Sequence, residues 1–219
     1  MIRILILALC AATFATAQAE TIKEIVVGAR EKNALARCRS LSRGLQDMRY
    51  TRGKILKPGD FGDPRVNARI ARCAIVAEKA EPYGSAVVWG AISLAFRESC
   101  FDAERHGKPI EGKAGELGMM QVMVKTCLRF DDLSEDGVCQ DPIEAGVRHL
   151  ANKLTEAKAA RCKAHKGKKA RCRKKYLPDD LALALSYYNG TRGGITNYGR
   201  EVAIWARNAA KRYRRGLDR

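Results

Sequence analysis

Ala86-Val87-Val88-Trp89-Gly90-Ala91-Ile92-Ser93-Leu94-Ala95-Phe96-Arg97-Glu98 is the stretch whose reading decides the fold. It is apolar nearly all round until Arg97, which predicts a central helix buried on most sides. Upstream, Val66, Ile70, Cys73, Ala74 and Ala77 form one face of a helix beginning at Arg65, and Pro82-Tyr83-Gly84 stops it. Downstream, Gly107, Pro109, Gly112 and Gly115 give loop chemistry from Asp102 to Gly115. Short helices are then predicted over Met119–Leu128 and Pro142–Ala160. The second starts with Asp141 as cap and proline in the first turn. Another runs from Asp179-Asp180 to Tyr188, and a last one from Thr196 to about Arg214. No strand signal and no internal repeat stand out, so the fold class is mainly α.

The 219-residue chain has room for one or two domains. Its 46% hydrophobic content excludes a disordered tail protein despite a net charge of +17. Residues 1–19 read as a cleaved signal peptide: Arg3 begins it, Ile4 to Ala17 form an apolar stretch, and Ala17-Gln18-Ala19 supply the cleavage signal. The predicted protein is therefore exported, periplasmic or secreted. Nothing after residue 20 is long and apolar enough for a mature membrane span. Residues 20–64 form an N-terminal helical extension, with helical spacing at Ile22, Ile25, Val26 and Ala29 and again from Leu35 to Met48. Pro58-Gly59-Asp60 and Gly62-Asp63-Pro64 close it, and the main domain spans 65–219.

Cleavage removes Cys10 and leaves an odd set of cysteines, which in an oxidising compartment read as disulfides. Cys127 with Cys139 and Cys162 with Cys172 are the favoured local pairs. Cys38, Cys73 and Cys100 compete for a third bond whose pairing stays open. A metal site is not expected, because no C-x-x-C occurs and Cys162, His165 and Cys172 are poorly spaced. His106, His149 and His165 read as surface residues.

Glu98 carries the chemistry. A carboxyl at the end of the most apolar helix has its pKa lifted by desolvation, and a protonated Glu can act as general acid on a glycosidic oxygen. Further along stand Gly118-Met119-Met120-Gln121, then Tyr187-Tyr188-Asn189, then Tyr198 four residues before Val202. Together with Glu98-Ser99-Cys100-Phe101, and in this order, these pieces resemble the catalytic domain of lytic transglycosylases, which share the lysozyme-like fold of goose-type lysozyme. The resemblance covers about residues 65–214. Val124 stands where the family usually has proline, Met119 where it has leucine, and the loop after Asn189 differs.

The resemblance implies a mainly α, lysozyme-like domain and a one-carboxylate mechanism. Glu98 would protonate the β-1,4 bond between N-acetylmuramic acid and N-acetylglucosamine in peptidoglycan. It would then act as base while the muramyl 6-hydroxyl attacks C1, giving a 1,6-anhydro end. Ser99 would orient Glu98, and Gln121 would bind a sugar group. Met119 and Met120 would form an apolar groove wall. Tyr188, Asn189 and Tyr198 would bind substrate and position Glu98. No cofactor is implied, and a monomer acting on peptidoglycan glycan strands is expected.

From Lys158 to Lys175, ten of eighteen residues are Lys or Arg and none is acidic. With Cys162 and Cys172 as brackets, this reads as a basic hairpin gripping an anionic cell-envelope polymer. One rival function is a hydrolytic muramidase of the same fold, which needs a second carboxylate. Goose-type lysozymes carry an Asp where this chain has Met123, and Asp102, Glu104, Glu111 or Glu116 could serve instead. Another rival is a non-catalytic polyanion- or wall-binding protein. Nucleic acid is not an expected partner: aromatic residues are few and no reading motif is present.

Overall fold

The computed structural model describes residues 32–41, 64–102, 104–105, 108–109, 111–112, 114–164, 178–191 and 193–217. The segment expected to be a signal peptide and most of the expected N-terminal extension therefore lie outside the described residues. Among those described, the structure is mainly helical: α1 (32–41), α2 (Pro64–Ala80), α3 (Ser85–Ser99), α4 (Val124–Arg129), α5 (Pro142–Ala164), α6 (Pro178–Tyr188) and α7 (Asn197–Leu217).

In α3, every residue from Val87 to Phe96 is buried, as its all-round apolar sequence predicts. Helices α2, α5, α6 and α7 all pack on it. Ile92 and Leu94 are fully buried, each contributing about 1.5–3 kcal/mol by leaving water. The helix ends where Cys100 turns left-handed (φ 55°) and donates its N–H to Phe96 O at 2.9 Å. Glu98 is thus held in the last turn of the most buried helix.

The other helices bury one face each. In α7, Val202, Ala203, Trp205, Ala206 and Ala209 face the core, while Arg207, Lys211, Arg212, Arg214 and Arg215 are exposed. At the start of α5, Asp141 Oδ1 accepts from Glu144 N at 2.9 Å, so the predicted acidic cap is in place. Two contacts fix where α7 begins. Ser186 Oγ accepts from Thr196 N at 2.9 Å. Gly199 passes so close to α6 that a Cβ there would stand 2.2 Å from Ala182 O and Ser186 Oγ. Only glycine permits that approach, and it sets the place of the neighbouring Tyr198.

Several details depart from the sequence reading. The helix expected over Met119–Leu128 is a turn, a two-residue strand and then the short α4, because Gly118 (φ 69°) and Gln121 (φ 49°) both take left-handed backbone. Two small antiparallel ladders occur, β1 (Glu104–Arg105) with β2 (Lys108–Pro109) and β3 (Glu116–Leu117) with β4 (Val122–Met123). Strands of two residues are too short to leave a periodic signal.

Ala34 to Arg219 form one compact unit, so residues 34–41 of the extension belong with the domain expected to start at 65. Ala34, Cys38 and Leu41 are core residues, and Cys38 is bonded to Cys73. The local pair Cys127–Cys139 is bonded too, with Cα atoms 5.6 Å apart.

Cys162 is not: its thiol is free, and Cys172 lies outside the described residues. Lys158 to Ala164, expected within the basic hairpin, instead continue α5. Within it Arg161 is engaged with Asp180 at 2.7 and 3.0 Å, and residues 165–177 lie outside the described residues. No helix among the described residues is long and apolar enough to cross a membrane.

Candidate active site

Glu98 lines a cleft of about 920 Å³ together with Gln121, Tyr188 and Asn189. Three segments distant in sequence therefore meet there: the end of α3, the 118–121 turn, and the end of α6 with the loop that follows it. The first residues of α7 add Tyr198, whose hydroxyl donates to Oε1 of Glu98. Burial pushes the Glu98 carboxyl above the usual range, and the nearby Glu116 adds to this. The Tyr198 hydrogen bond and the Arg97 charge pull the other way without cancelling it. Burial, with Glu98 adjacent, raises the Tyr198 phenol far beyond any physiological pH, so it remains a donor. With Tyr198 on Oε1, the proton of the neutral acid belongs on Oε2.

Tyr198 is itself held in place. Arg97 stacks on its ring at 5.6 Å and lies 3.6 Å from Glu201 Oε2. Tyr188 donates to Met120 O at 3.0 Å, and its ring meets His149 edge-on at 5.1 Å. Ser99 Oγ lies 2.9 Å from Met119 O and 3.0 Å from Ala95 O. It therefore ties the end of α3 to the 118–121 turn, and acts on Glu98 through the backbone and not by direct contact. Gln121 Nε2 donates to Gly118 O at 2.9 Å, which fixes its amide at the cleft wall.

The apolar wall expected of Met119 and Met120 lies elsewhere. Their side chains are 4% and 0% exposed, in the core. Met120 packs on α5 at Gly146, where a Cβ would stand 2.9 Å from its sulfur. What this pair gives the site is its carbonyls, which hold Ser99 and Tyr188. Val122 and Met123 line the cleft instead.

The sequence reading missed one whole wall. Lys125 and Arg129 from α4, and His149, Lys153 and Glu156 from α5, line the same cleft. Their spacings of four and three residues mark single helix faces, and that was the available signal. His149 is no surface residue. Burial, then the charges of Lys153 and Arg129, depress its pKa to about 4, so the ring is neutral at ordinary pH. Of the candidate second carboxylates, Glu116 lines the cleft and accepts from Ala114 N at 3.0 Å. Asp102 is engaged by Arg69 at 3.0 and 3.1 Å. The one group of potential metal-ligand atoms found among the described residues, Cys127, Asp132 and Cys139, has its two sulfurs in a disulfide.

Compared with known proteins, the chain matches no family model, no curated protein and no solved structure. Fold and site define a mainly helical domain with a half-buried, hydrogen-bonded carboxyl opening on a polar cleft.

Proposed function

We propose that the protein is an exported peptidoglycan lytic transglycosylase with a lysozyme-like fold and Glu98 as its single catalytic acid and base. The observation that carries this is the Glu98 carboxyl, raised by burial, held by Tyr198, and open to a cleft large enough for a glycan strand. A neutral Glu98 gives its Oε2 proton to the leaving oxygen of the muramyl–glucosaminyl bond. The resulting carboxylate takes the proton of the muramyl 6-hydroxyl as that oxygen closes on C1. Gln121 and Asn189 supply polar contacts to the sugars, and Tyr198 keeps the carboxyl oriented between the two steps. Export is supported by the amino-terminal signal pattern and by the two disulfides of the described residues.

A second reading, hydrolytic muramidase, is favoured by Glu116, a carboxylate on the same cleft able to hold a water. Digestion of purified sacculi followed by mass spectrometry separates the two. Anhydro ends one water lighter than the hydrolytic product support the transglycosylase. Reducing ends support the muramidase, and intact sacculi refute both.

A further inference from the structure

Helix α7 carries its charges on one side. Arg200, Arg207, Lys211, Arg214 and Arg215 are all exposed, and their spacing puts them in one stripe along the helix. Ile204, 40% exposed, stands in the same stripe, which runs for about 22 Å. The buried Val202, Trp205 and Ala209 lie on the opposite side, so the stripe points away from the core. No acid interrupts it. Glu201, the one acidic residue of α7, is engaged by Arg97 at 3.6 Å. Arg200 reaches Asn197 Oδ1 at 3.1 Å and Arg214 reaches Ala210 O at 3.3 Å, both neutral acceptors on the same helix. Among the described residues none of the five cations has a carboxylate within ion-pair distance. None lines the Glu98 cleft.

We propose that this stripe docks the protein on an anionic phospholipid surface. Four of its five cations are arginines, whose planar fork suits phosphate. The outer face of a helix is a convex ridge, which meets a plane along its length but has no walls to enclose a thread. Ile204 leaves water between lipid headgroups and gains nothing from a hydrated polymer. A folded partner protein would need an apolar, aromatic centre, and the stripe offers one isoleucine. The apolar face of α7 is committed to the core, so the helix rests on the lipid and does not enter it. Tyr198 reaches Glu98 from the side of α7 opposite Arg200, so that contact stays clear of the membrane. The docking does not depend on what the Glu98 cleft cuts.

The test measures binding of the full mature chain to phosphatidylcholine vesicles, with and without phosphatidylglycerol, at low and high salt. Binding is expected where phosphatidylglycerol is present, and it weakens as salt rises. Each cation at such a surface is worth about a fivefold change in affinity. Lys211→Gln therefore weakens binding about fivefold, and Arg207→Gln with Lys211→Gln and Arg214→Gln about a hundredfold. Lys163→Gln with Lys166→Gln and Lys168→Gln removes the same charge away from α7 and costs less than about threefold.

Soluble polyphosphate serves as the rival occupant. Tighter binding to polyphosphate than to vesicles, lost with the α7 substitutions, overturns the lipid assignment. Equal losses from the two triple variants mean that total charge binds and the stripe does not. Failure to bind the phosphatidylglycerol vesicles, or equal binding to phosphatidylcholine alone, also overturns the proposal.

Discussion

Tyr198 donates its hydroxyl to a carboxylate one hundred residues earlier in the chain, Glu98. This bond and the charge of Glu116 act on the same proton in opposite directions. Tyr198→Phe removes a donor that favours the ionised form, so the Glu98 pKa rises further. The alkaline limb of activity, set by loss of the protonated acid, moves to higher pH. Glu116→Gln removes a negative neighbour, and the limb moves to lower pH. Tyr198→Phe also lowers kcat by roughly 10- to 100-fold through loss of positioning. Shifts of the same sign in the two pH profiles refute this account of the site.

Glu98→Gln keeps the shape of the side chain and removes the transferable proton. Sacculus cleavage falls by at least about 100-fold, the lower range of general acid–base contributions. Melting temperature holds or rises slightly, since ionising a half-buried carboxyl costs stability. The sign follows from the raised folded pKa: stability is full below the unfolded value and declines as pH climbs through the folded one. Cleavage at the original rate makes Glu98 a structural residue.

The close approach at Gly199 links packing to chemistry. Gly199→Ala places a methyl group 2.2 Å from Ala182 O and Ser186 Oγ, so α7 must move off α6. Overpacking of this kind costs about 1–3 kcal/mol. Tyr198 moves with it, and activity drops by more than the loss of folded protein accounts for. Calorimetry beside specific activity per folded molecule measures both. Full activity per folded molecule means that Tyr198 is not positioned by this contact.

What the sequence made legible was whatever left a pattern along one element. The all-apolar run of α3 gave the central helix, and the Asp141-Pro142 start gave the cap of α5. Glu98, Gln121, Tyr188 and Asn189, which line one cleft, were singled out together only through the resemblance that their short motifs carry as an ordered set. The direction of a side chain at a turn was not legible. Met119-Met120 after Gly118 reads equally well as wall or core, and both side chains are buried. Nor was the α4–α5 wall, because a lysine or histidine at helical spacing usually marks a solvated face. Only the packing of two helices around one cleft shows that this face meets the site.

His149 gives a pH dependence that can be separated from catalysis. Its folded pKa of about 4 lies below the ordinary 6.5, because burial and the charges of Lys153 and Arg129 outweigh the opposing pull of Glu156. At pH 7 folded and unfolded chains both hold a neutral ring. As pH falls below 6.5 the unfolded chain takes up a proton that the folded one refuses until about pH 4. Stability is therefore lost across that window. With the ring partly open to solvent, the loss is screened to about 1–2 kcal/mol. This corresponds to a few degrees of melting temperature in a domain of this size. His149→Phe keeps the edge contact with Tyr188 and cannot titrate, so its melting temperature falls less than the parent's between pH 7 and pH 4.5. Melting curves of the two proteins at both pH values make the comparison. Parallel losses show that other groups carry the acid sensitivity and that His149 is already charged in the folded chain.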